Sequence, residues 1–144
     1  MPMKLDDPLQ TIARAYEEIC AGEEPWVALG NFMNEWFIYA TDRRAELVAD
    51  APLPPYAPTL QEHRWACFLV ASVEYLCQRY ALSCPSWVYE NASCLQEPWY
   101  DVPYPNDEIR AWLEQTTPEP FKKRNIYCGD RVFLDKREVM GIGP

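Results

Sequence analysis

The sequence predicts an all-α fold, a compact helical bundle built as a single domain over residues 1–144. Apolar residues make up 49% of the 144 positions, and they recur at helical spacing in several segments. Helix-start signals precede these segments, and 14 prolines against 5 glycines indicate rigid corners between them. A chain of this length buries roughly 70% of its unfolded surface in one core. We find no internal repeat and only one short stretch of strand-like alternation, at residues 125–128.

The first helix is predicted from a start signal at Asp7 and Pro8. A carboxylate at this place caps free backbone N–H groups, and proline suits the first helical position. Apolar residues then recur at helical spacing over residues 9–20, and Gly22 is expected to end the helix.

The second helix is predicted to begin at Glu24 and Pro25, which repeat the same start signal. Its apolar stripe covers residues 29–40, and we expect a kink near Thr41, after which the helix could continue over residues 43–49. Four prolines in residues 51–58 exclude a helix there, because each proline removes a backbone donor and pushes the preceding residue toward an extended conformation. This Pro-rich segment is predicted to be a stiff connector.

The third helix is predicted to start at a capping box formed by Thr59 and Glu62. In a capping box the hydroxyl and the carboxylate each bind a backbone N–H group that the helix leaves free. The apolar stripe that follows extends to about Tyr80, and a short helical segment is expected over residues 85–93.

A fourth long helix is predicted after a loop rich in aromatic residues. Residues 97–105 alternate aromatic side chains with prolines and should form an ordered loop packed by its own rings. Asn106 caps the helix over residues 107–115, whose first turn is acidic, as the helix dipole favours. Pro118 and Pro120 are expected to end it.

The charges are divided unequally along the chain. Residues 1–120 hold 7 basic and 19 acidic groups, a net charge of −12, whereas the basic carboxy-terminal segment 121–144 holds 6 and 3, a net charge of +3. The total of −9 repels nucleic-acid phosphates and attracts basic protein surfaces. The charge therefore disfavours general nucleic-acid binding and favours a partner protein with a basic surface.

No segment predicts export or membrane insertion. The first eight residues contain no long apolar run, and the most apolar stretch, residues 65–76, is well short of the ~20 residues that cross a bilayer. We therefore expect a cytoplasmic protein that does not contact the membrane. In that compartment the six cysteines are expected to remain reduced thiols.

The sequence contains no specific catalytic motif. We find no glycine-rich phosphate loop, no nucleophile elbow and no spaced acidic cluster suited to a magnesium ion. His63 and Cys67 lie four residues apart, on one helical face, but the cysteines lack the paired spacing that is typical of structural zinc sites. We therefore predict no catalytic residues and no cofactor. A metal-binding or thiol-dependent function of His63 and Cys67 is kept as the alternative.

The tryptophans fall into two groups. Those inside predicted helices are expected in the core: Trp36, Trp65 and Trp112. Those that follow prolines either pack on their own domain or contact a partner: Trp26, Trp87 and Trp99. Rings on a stiff loop lose little conformational entropy on binding, so the candidate partner anchors in the aromatic loop are Trp99, Tyr100 and Tyr104.

A basic run completes the candidate partner-binding surface: Phe121, Lys122, Lys123, Arg124 and Asn125. Its three cations could pair with the acidic body of the same chain, bind an acidic partner, or contact phosphate. A regulator that contacts nucleic acid through residues 122–124 is therefore a third hypothesis. A helix-turn-helix is not supported, because the candidate second helix, residues 85–93, contains Glu90 and neither lysine nor arginine.

The carboxy-terminal half resembles a group of small, largely uncharacterised bacterial helical proteins. The matching segments are Trp65-Ala66, Val73-Glu74-Tyr75-Leu76, Pro85-Ser86-Trp87-Val88, Glu97-Pro98-Trp99-Tyr100 and Thr117-Pro118-Glu119-Pro120-Phe121-Lys122-Lys123-Arg124-Asn125-Ile126-Tyr127. The resemblance implies a helical fold and an antitoxin-side or regulator-linked role. It brings no catalytic residues, and neither His63 nor the cysteines belong to its pattern.

These observations predict a non-enzymatic protein-binding adaptor, or an antitoxin-like neutraliser, that acts on a basic partner protein. The net charge of −9, the lack of a specific catalytic motif and the rings on stiff loops are the features that favour it.

Overall fold

The computed structural model describes residues 9–90 and 95–133 and confirms the mostly helical fold. The helices are α1 (Ile12–Cys20), α2 (Pro25–Asn34), α3 (Arg44–Leu47), α4 (Leu60–Arg79), α5 (Trp87–Glu90), α6 (Asp107–Thr116) and α7 (Glu119–Lys122). A π-helical turn (Glu35–Tyr39) and a 3-10 turn (Thr41–Arg43) connect α2 to α3. Two short strands, β1 (Trp99–Tyr100) and β2 (Ile126–Tyr127), pair in parallel.

Helix α4 is the centre of the domain. Its apolar residues are buried almost all the way round between residues 65 and 77, and α1, α5 and α7 each pack against it. The surrounding elements therefore share one core that α4 passes through. Although α4 has 20 residues, neither it nor any other helix within residues 9–90 and 95–133 is both long and apolar enough to cross a membrane.

Helix α1 begins later than the sequence predicts. Thr11 is its cap, with a hydroxyl that accepts a hydrogen bond from the backbone N–H of Arg14 at 3.1 Å, so residues 9–11 precede the helix. A threonine hydroxyl in the position before a helix can satisfy a free backbone N–H group of the first turn, as a carboxylate can. The predicted start at Asp7 and Pro8 lies outside the described residues.

Helix α2 begins as predicted, because the Glu24 carboxylate accepts a hydrogen bond from the Val27 backbone N–H at 3.0 Å and proline occupies the first turn. The helix then widens into the π-helical turn, which is closed by a bond of 2.8 Å from the Ala40 N–H to the Glu35 carbonyl. The chain leaves helical geometry at Ala40, which confirms the kink expected near Thr41, and helical turns resume over Thr41–Arg43 and Arg44–Leu47.

The capping box of α4 is present as predicted. The Thr59 hydroxyl accepts from the Glu62 N–H at 3.1 Å, and the Glu62 carboxylate accepts from the Thr59 N–H at 2.9 Å. Both donors would otherwise lack a partner in the first turn of the central helix.

Replacing Thr59 by alanine should lower the free energy of unfolding by about 1 kcal/mol, because one backbone donor loses its acceptor. Chemical denaturation of the full chain measures the loss. Thr59→Ser keeps the hydroxyl and should be close to the wild type. Equal losses in both variants would show that the methyl group of threonine, and not the cap, stabilises the helix start.

The carboxy-terminal part differs from the sequence prediction in two ways. Pro118 and Pro120 do end α6 at residue 116, but the chain immediately forms the short helix α7, in whose first turn Pro120 lies. The aromatic loop is also not wholly irregular, since its residues 99–100 pair with 126–127. Pairing between segments about 27 residues apart depends on tertiary packing, which local sequence patterns do not report.

Candidate functional site

Four aromatic rings pack edge to face where α2, α4 and β1 meet, and we call them the aromatic cluster: Trp26, Trp65, Phe68 and Trp99. Trp65 is at the centre of this group, with ring centroids 5.8 Å from Trp26 and 5.3 Å from Trp99. Phe68 is fully buried, and its ring centroid lies 5.7 Å from that of Trp26 and 6.2 Å from that of Trp99. Edge-to-face packing fixes the orientation of both outer rings.

An open cleft of about 700 Å³ lies beside this cluster, and we call it the aromatic cleft. Trp26 forms one part of its wall, and the β1 segment with the loop after it forms another. The chain that follows β2 completes it. Its lining residues are Trp26, Trp99, Tyr100, Asp101, Val102, Pro103, Cys128, Arg131 and Val132.

Asp101 is the acidic group of the aromatic cleft. Its backbone N–H donates to the Tyr127 carbonyl at 3.1 Å, which holds the residue at the end of β1. Within residues 9–90 and 95–133 its half-buried carboxylate accepts no hydrogen bond and forms no ion pair. Burial raises its pKa above the ordinary value of 3.8. The cleft therefore contains a carboxylate whose desolvation is not compensated by any residue within 9–90 and 95–133.

Two further polar groups line the cleft. Burial, with the nearby Asp101 charge, raises the pKa of the Cys128 thiol to about 12, so this sulfur is protonated at neutral pH. Arg131 lines the cleft too and is exposed, as a residue at its rim would be. An acid, a cation and aromatic walls together suit a ligand that is charged and has apolar parts.

The predicted anchors of the aromatic loop occupy different positions. Trp99 and Tyr100 line the aromatic cleft, half-buried, and the Arg64 guanidinium lies 5.5 Å from the Trp99 ring centroid. The Tyr100 ring stacks on Tyr127 at 4.9 Å. Tyr104, with 94% of its surface exposed and a positive φ of 54°, projects from the loop and is not among the lining residues of the cleft.

The Tyr100 hydroxyl is held by α6, because it donates a hydrogen bond to the Glu114 carboxylate. This bond, with burial as a smaller contribution, raises the pKa of Tyr100 to about 12. Tyr100 is therefore a neutral, fixed wall of the cleft at physiological pH.

Three residues of the basic run pack within the domain. Phe121 is buried, with its ring 5.3 Å from that of Phe68, and so forms part of the core. The Lys122 ammonium donates to the Glu114 carbonyl at 3.1 Å, and the Asn125 amide donates to the Leu95 carbonyl at 3.0 Å. In this conformation Phe121 is part of the core rather than an exposed anchor.

The other two cations pair with one buried carboxylate. Glu74 lies on α4, 3% exposed, and its two carboxylate oxygens accept from Lys123 at 2.7 Å and from Arg124 at 2.8 Å. Arg124 is itself 6% exposed and also donates to the Pro120 carbonyl at 2.7 Å. Of the three alternatives for the basic run, the structure shows pairing with the acidic body of the same chain for Lys123 and Arg124.

The electrostatics of Glu74 follow from these contacts. Burial by itself raises the pKa of this carboxyl, but the hydrogen bonds and charges of Lys123 and Arg124 outweigh it and hold the pKa below the ordinary value of 4.5. Glu74 is therefore ionised at neutral pH and ties the segment after α7 to the central helix. We call these three residues the Glu74 ion cluster.

His63 and Cys67 are neighbours, as their spacing predicts. The Cys67 sulfur lies 3.8 Å from the His63 Nε2 on one face of α4. Within residues 9–90 and 95–133, no group of three or more histidine, cysteine or acidic side chains is arranged to hold a metal ion. Burial, with the neighbouring Cys84, raises the pKa of the Cys77 thiol to about 12, which is the opposite of what nucleophilic catalysis requires.

The tryptophan predictions are confirmed in two cases and wrong in one. Trp36 and Trp65 are buried, but Trp112 is 51% exposed on α6. Helix α6 buries Leu113, and the neighbouring position on a helix points about 100° away, so Trp112 faces outward. Trp87 packs on its own domain, with an indole N–H that donates to the Val48 and Ala49 carbonyls at 3.1 Å.

Sequence reasoning identified only Trp99 and Tyr100 among the nine lining residues, and it missed the three polar groups Asp101, Cys128 and Arg131. A usable signal existed for Asp101, which is a lone carboxylate directly after Trp99-Tyr100 in a loop framed by prolines. Nothing local links that loop to residues 128–132, which β-pairing places beside it.

Searches with protein-family models, against curated proteins and against solved structures found no match for this chain. The resemblance to small bacterial helical proteins stays a prediction. A function is therefore proposed from the geometry and charge of the aromatic cleft.

Proposed function

We propose that this protein is a non-enzymatic protein-binding domain whose aromatic cleft receives a basic side chain of a partner protein. The observation that supports the proposal is the half-buried Asp101 carboxylate, which lines a cleft walled by Trp26 and Trp99 and has no partner among the described residues. A lysine or arginine side chain would supply the missing ion pair.

Both components of the cleft favour a cation. A carboxylate in a partly desolvated place binds a guanidinium or an ammonium through charge-assisted hydrogen bonds. Tryptophan and tyrosine rings attract the same groups electrostatically, with about 0.5–2 kcal/mol for each contact. The net charge of −9 steers a basic partner toward the domain before contact.

Arg131 narrows the choice of partner segment. A cation among the lining residues of the cleft repels a uniformly basic patch, but it binds a carbonyl or a carboxylate next to the inserted side chain. The partner chemistry that fits is therefore one basic residue with an acceptor beside it. In the sequence interpretation this role corresponds to an adaptor, or to an antitoxin-like neutraliser that covers a basic surface in the bacterial cytoplasm.

The test uses the full chain and two short peptides, one with a central arginine followed by an aspartate and one with glutamine in place of the arginine. Isothermal titration and tryptophan fluorescence should report binding of the arginine peptide, because Trp26 and Trp99 line the site. Asp101→Asn should weaken binding by about tenfold, which corresponds to about 1.4 kcal/mol. Asp130→Asn changes an exposed acid outside the lining residues and serves as the matched control.

Two results would contradict the proposal. One is equal affinity of the two peptides, which would show that the cleft does not recognise the positive charge of the arginine. The other is an Asp101→Asn variant that binds as tightly as the Asp130→Asn control. Circular dichroism of each variant verifies that the fold is unchanged.

Asp101→Asn should also raise the thermal midpoint of unfolding at pH 7. The folded-state pKa of Asp101 lies above the ordinary value of 3.8, so between the two values the folded state binds more protons than the unfolded state. Stability contributed by this residue is thus lost as the pH rises through the folded pKa, and the cost persists at pH 7. The thermal midpoints of Asp101→Asn and of the wild type, measured from pH 3 to pH 7, should differ least at pH 3. A variant less stable than wild type at pH 7 would show that the carboxylate has a partner.

A further inference from the structure

The Pro-rich connector, residues 51–58, is exposed from Leu53 onward and has no backbone pairing with the described residues. Residues 53–59 are all exposed, including Leu53 at 80% and Tyr56 at 104%. None of residues 51–58 donates or accepts a backbone hydrogen bond within the part of the chain that the structure describes. Four prolines and free backbone groups are typical of a polyproline II conformation, which has no internal hydrogen bonds.

Both ends of the connector are fixed to the domain. Pro52 is buried at the start, and Thr59 forms the capping box of α4 at the end. The chain bends at Tyr56 and Ala57 to enter that helix. A segment that is held at both ends and stiffened by prolines loses little conformational entropy when a partner binds it.

The spacing of the two large exposed side chains matches polyproline II geometry. That helix has three residues per turn, so Leu53 and Tyr56 lie on one edge, and the exposed rings of Pro54 and Pro55 lie on the two edges beside it. Large side chains on one edge with exposed proline rings beside them form the kind of surface that aromatic-lined grooves recognise. We propose that Leu53-Pro54-Pro55-Tyr56 is a docking segment for a partner protein with an aromatic-lined groove.

Charge defines the partner further. From Asp50 to Glu62 the chain contains two acidic residues and no lysine or arginine. Grooves that need a flanking arginine on the ligand therefore fit poorly, and a groove with basic groups at its rim fits well. This surface is distinct from the aromatic cleft, since none of its residues lines the cleft.

The test uses the full chain with a purified WW domain, whose aromatic groove accepts proline followed by tyrosine. Titration followed by NMR should give a dissociation constant below about 1 mM, and Tyr56→Ala should weaken binding at least tenfold. Tyr39→Ala removes another exposed tyrosine, 74% exposed, and is the matched control. Asp101→Asn should leave this binding unchanged, so failure here is separable from failure of the cleft proposal.

Three outcomes would overturn the proposal: no detectable binding by the wild type, equal binding by Tyr56→Ala and wild type, or equal weakening by Tyr39→Ala. Sedimentation of the chain alone provides a further check. Self-association that Tyr56→Ala abolishes would assign the segment to a second copy of this chain and would exclude a different partner protein.

Discussion

Glu74→Ala is expected to lower the free energy of unfolding by about 3–5 kcal/mol, because it leaves the buried Arg124 charge without its carboxylate. Arg124 is 6% exposed and would retain only the Pro120 carbonyl among its described acceptors. Lys123 would lose the same partner but reaches solvent, so its contribution is smaller. Urea denaturation of the full chain, followed by circular dichroism, measures the change.

Two variants test whether the loss of stability comes from breaking a buried ion pair and not from removing a carboxylate in general. Glu46→Ala breaks the exposed pair between Arg43 and Glu46 and should change the midpoint little, since solvent screens both groups. Glu74→Leu combined with Arg124→Met removes both buried charges and should recover much of the lost stability. If the double variant is as unstable as Glu74→Ala, the loss comes from packing on α4 and the electrostatic account is wrong.

The same cluster predicts how stability depends on pH. The folded-state pKa of Glu74 lies below the ordinary value of 4.5, so between the two values the unfolded state binds more protons. Its stabilising contribution is therefore complete above the unfolded value and is lost as the pH falls through the folded one. Glu74→Gln should flatten this acid-side loss, while an unchanged acid profile would argue against the ion pair.

Phe68→Ala is expected to lower the free energy of unfolding by about 3–5 kcal/mol, because the cavity lies at the centre of the core. Phe68 is fully buried on α4. Its ring contacts five others, at centroid distances from 5.2 to 6.4 Å: Trp26, Trp65, Trp99, Phe121 and Phe133. Chemical denaturation measures the loss.

The effect should extend to the aromatic cleft. Phe68→Leu keeps most of the volume and is expected to fold, yet it removes one of the two edge-to-face contacts that orient each of Trp26 and Trp99, and leaves those with Trp65. It should therefore weaken arginine-peptide binding while the domain stays intact. Leu53→Ala, at an exposed position, is the control and should change stability by no more than about 0.5 kcal/mol. Cleft binding that Phe68→Leu leaves unchanged would show that the rings are oriented by other contacts.

Parts of the candidate site could be predicted from the sequence. Trp99 and Tyr100 were identifiable as rings on a stiff loop, and both line the aromatic cleft. Glu74 stands out as an ionisable residue within the apolar stretch 65–76, and a cationic run existed to pair with it. The choice among the alternatives for that run required the structure, because Glu74 and Arg124 are 50 residues apart.

The sequence by itself determined the helical fold and several of its helix boundaries. The Glu24 start, the break near Thr41, the capping box at Thr59 and the Asn106 cap are of this kind, because each depends on groups within a few residues. Only the tertiary structure decided how these elements meet.

Tertiary packing placed Asp101 in one cleft with Cys128 and Arg131, turned Trp112 outward, and buried Glu74 and Arg124 of the ion cluster. Each of these results depends on which segments pack together, and that choice is made by the summed burial of the whole core. A local pattern of residues contains no information about it, so the aromatic cleft became visible only in the folded chain.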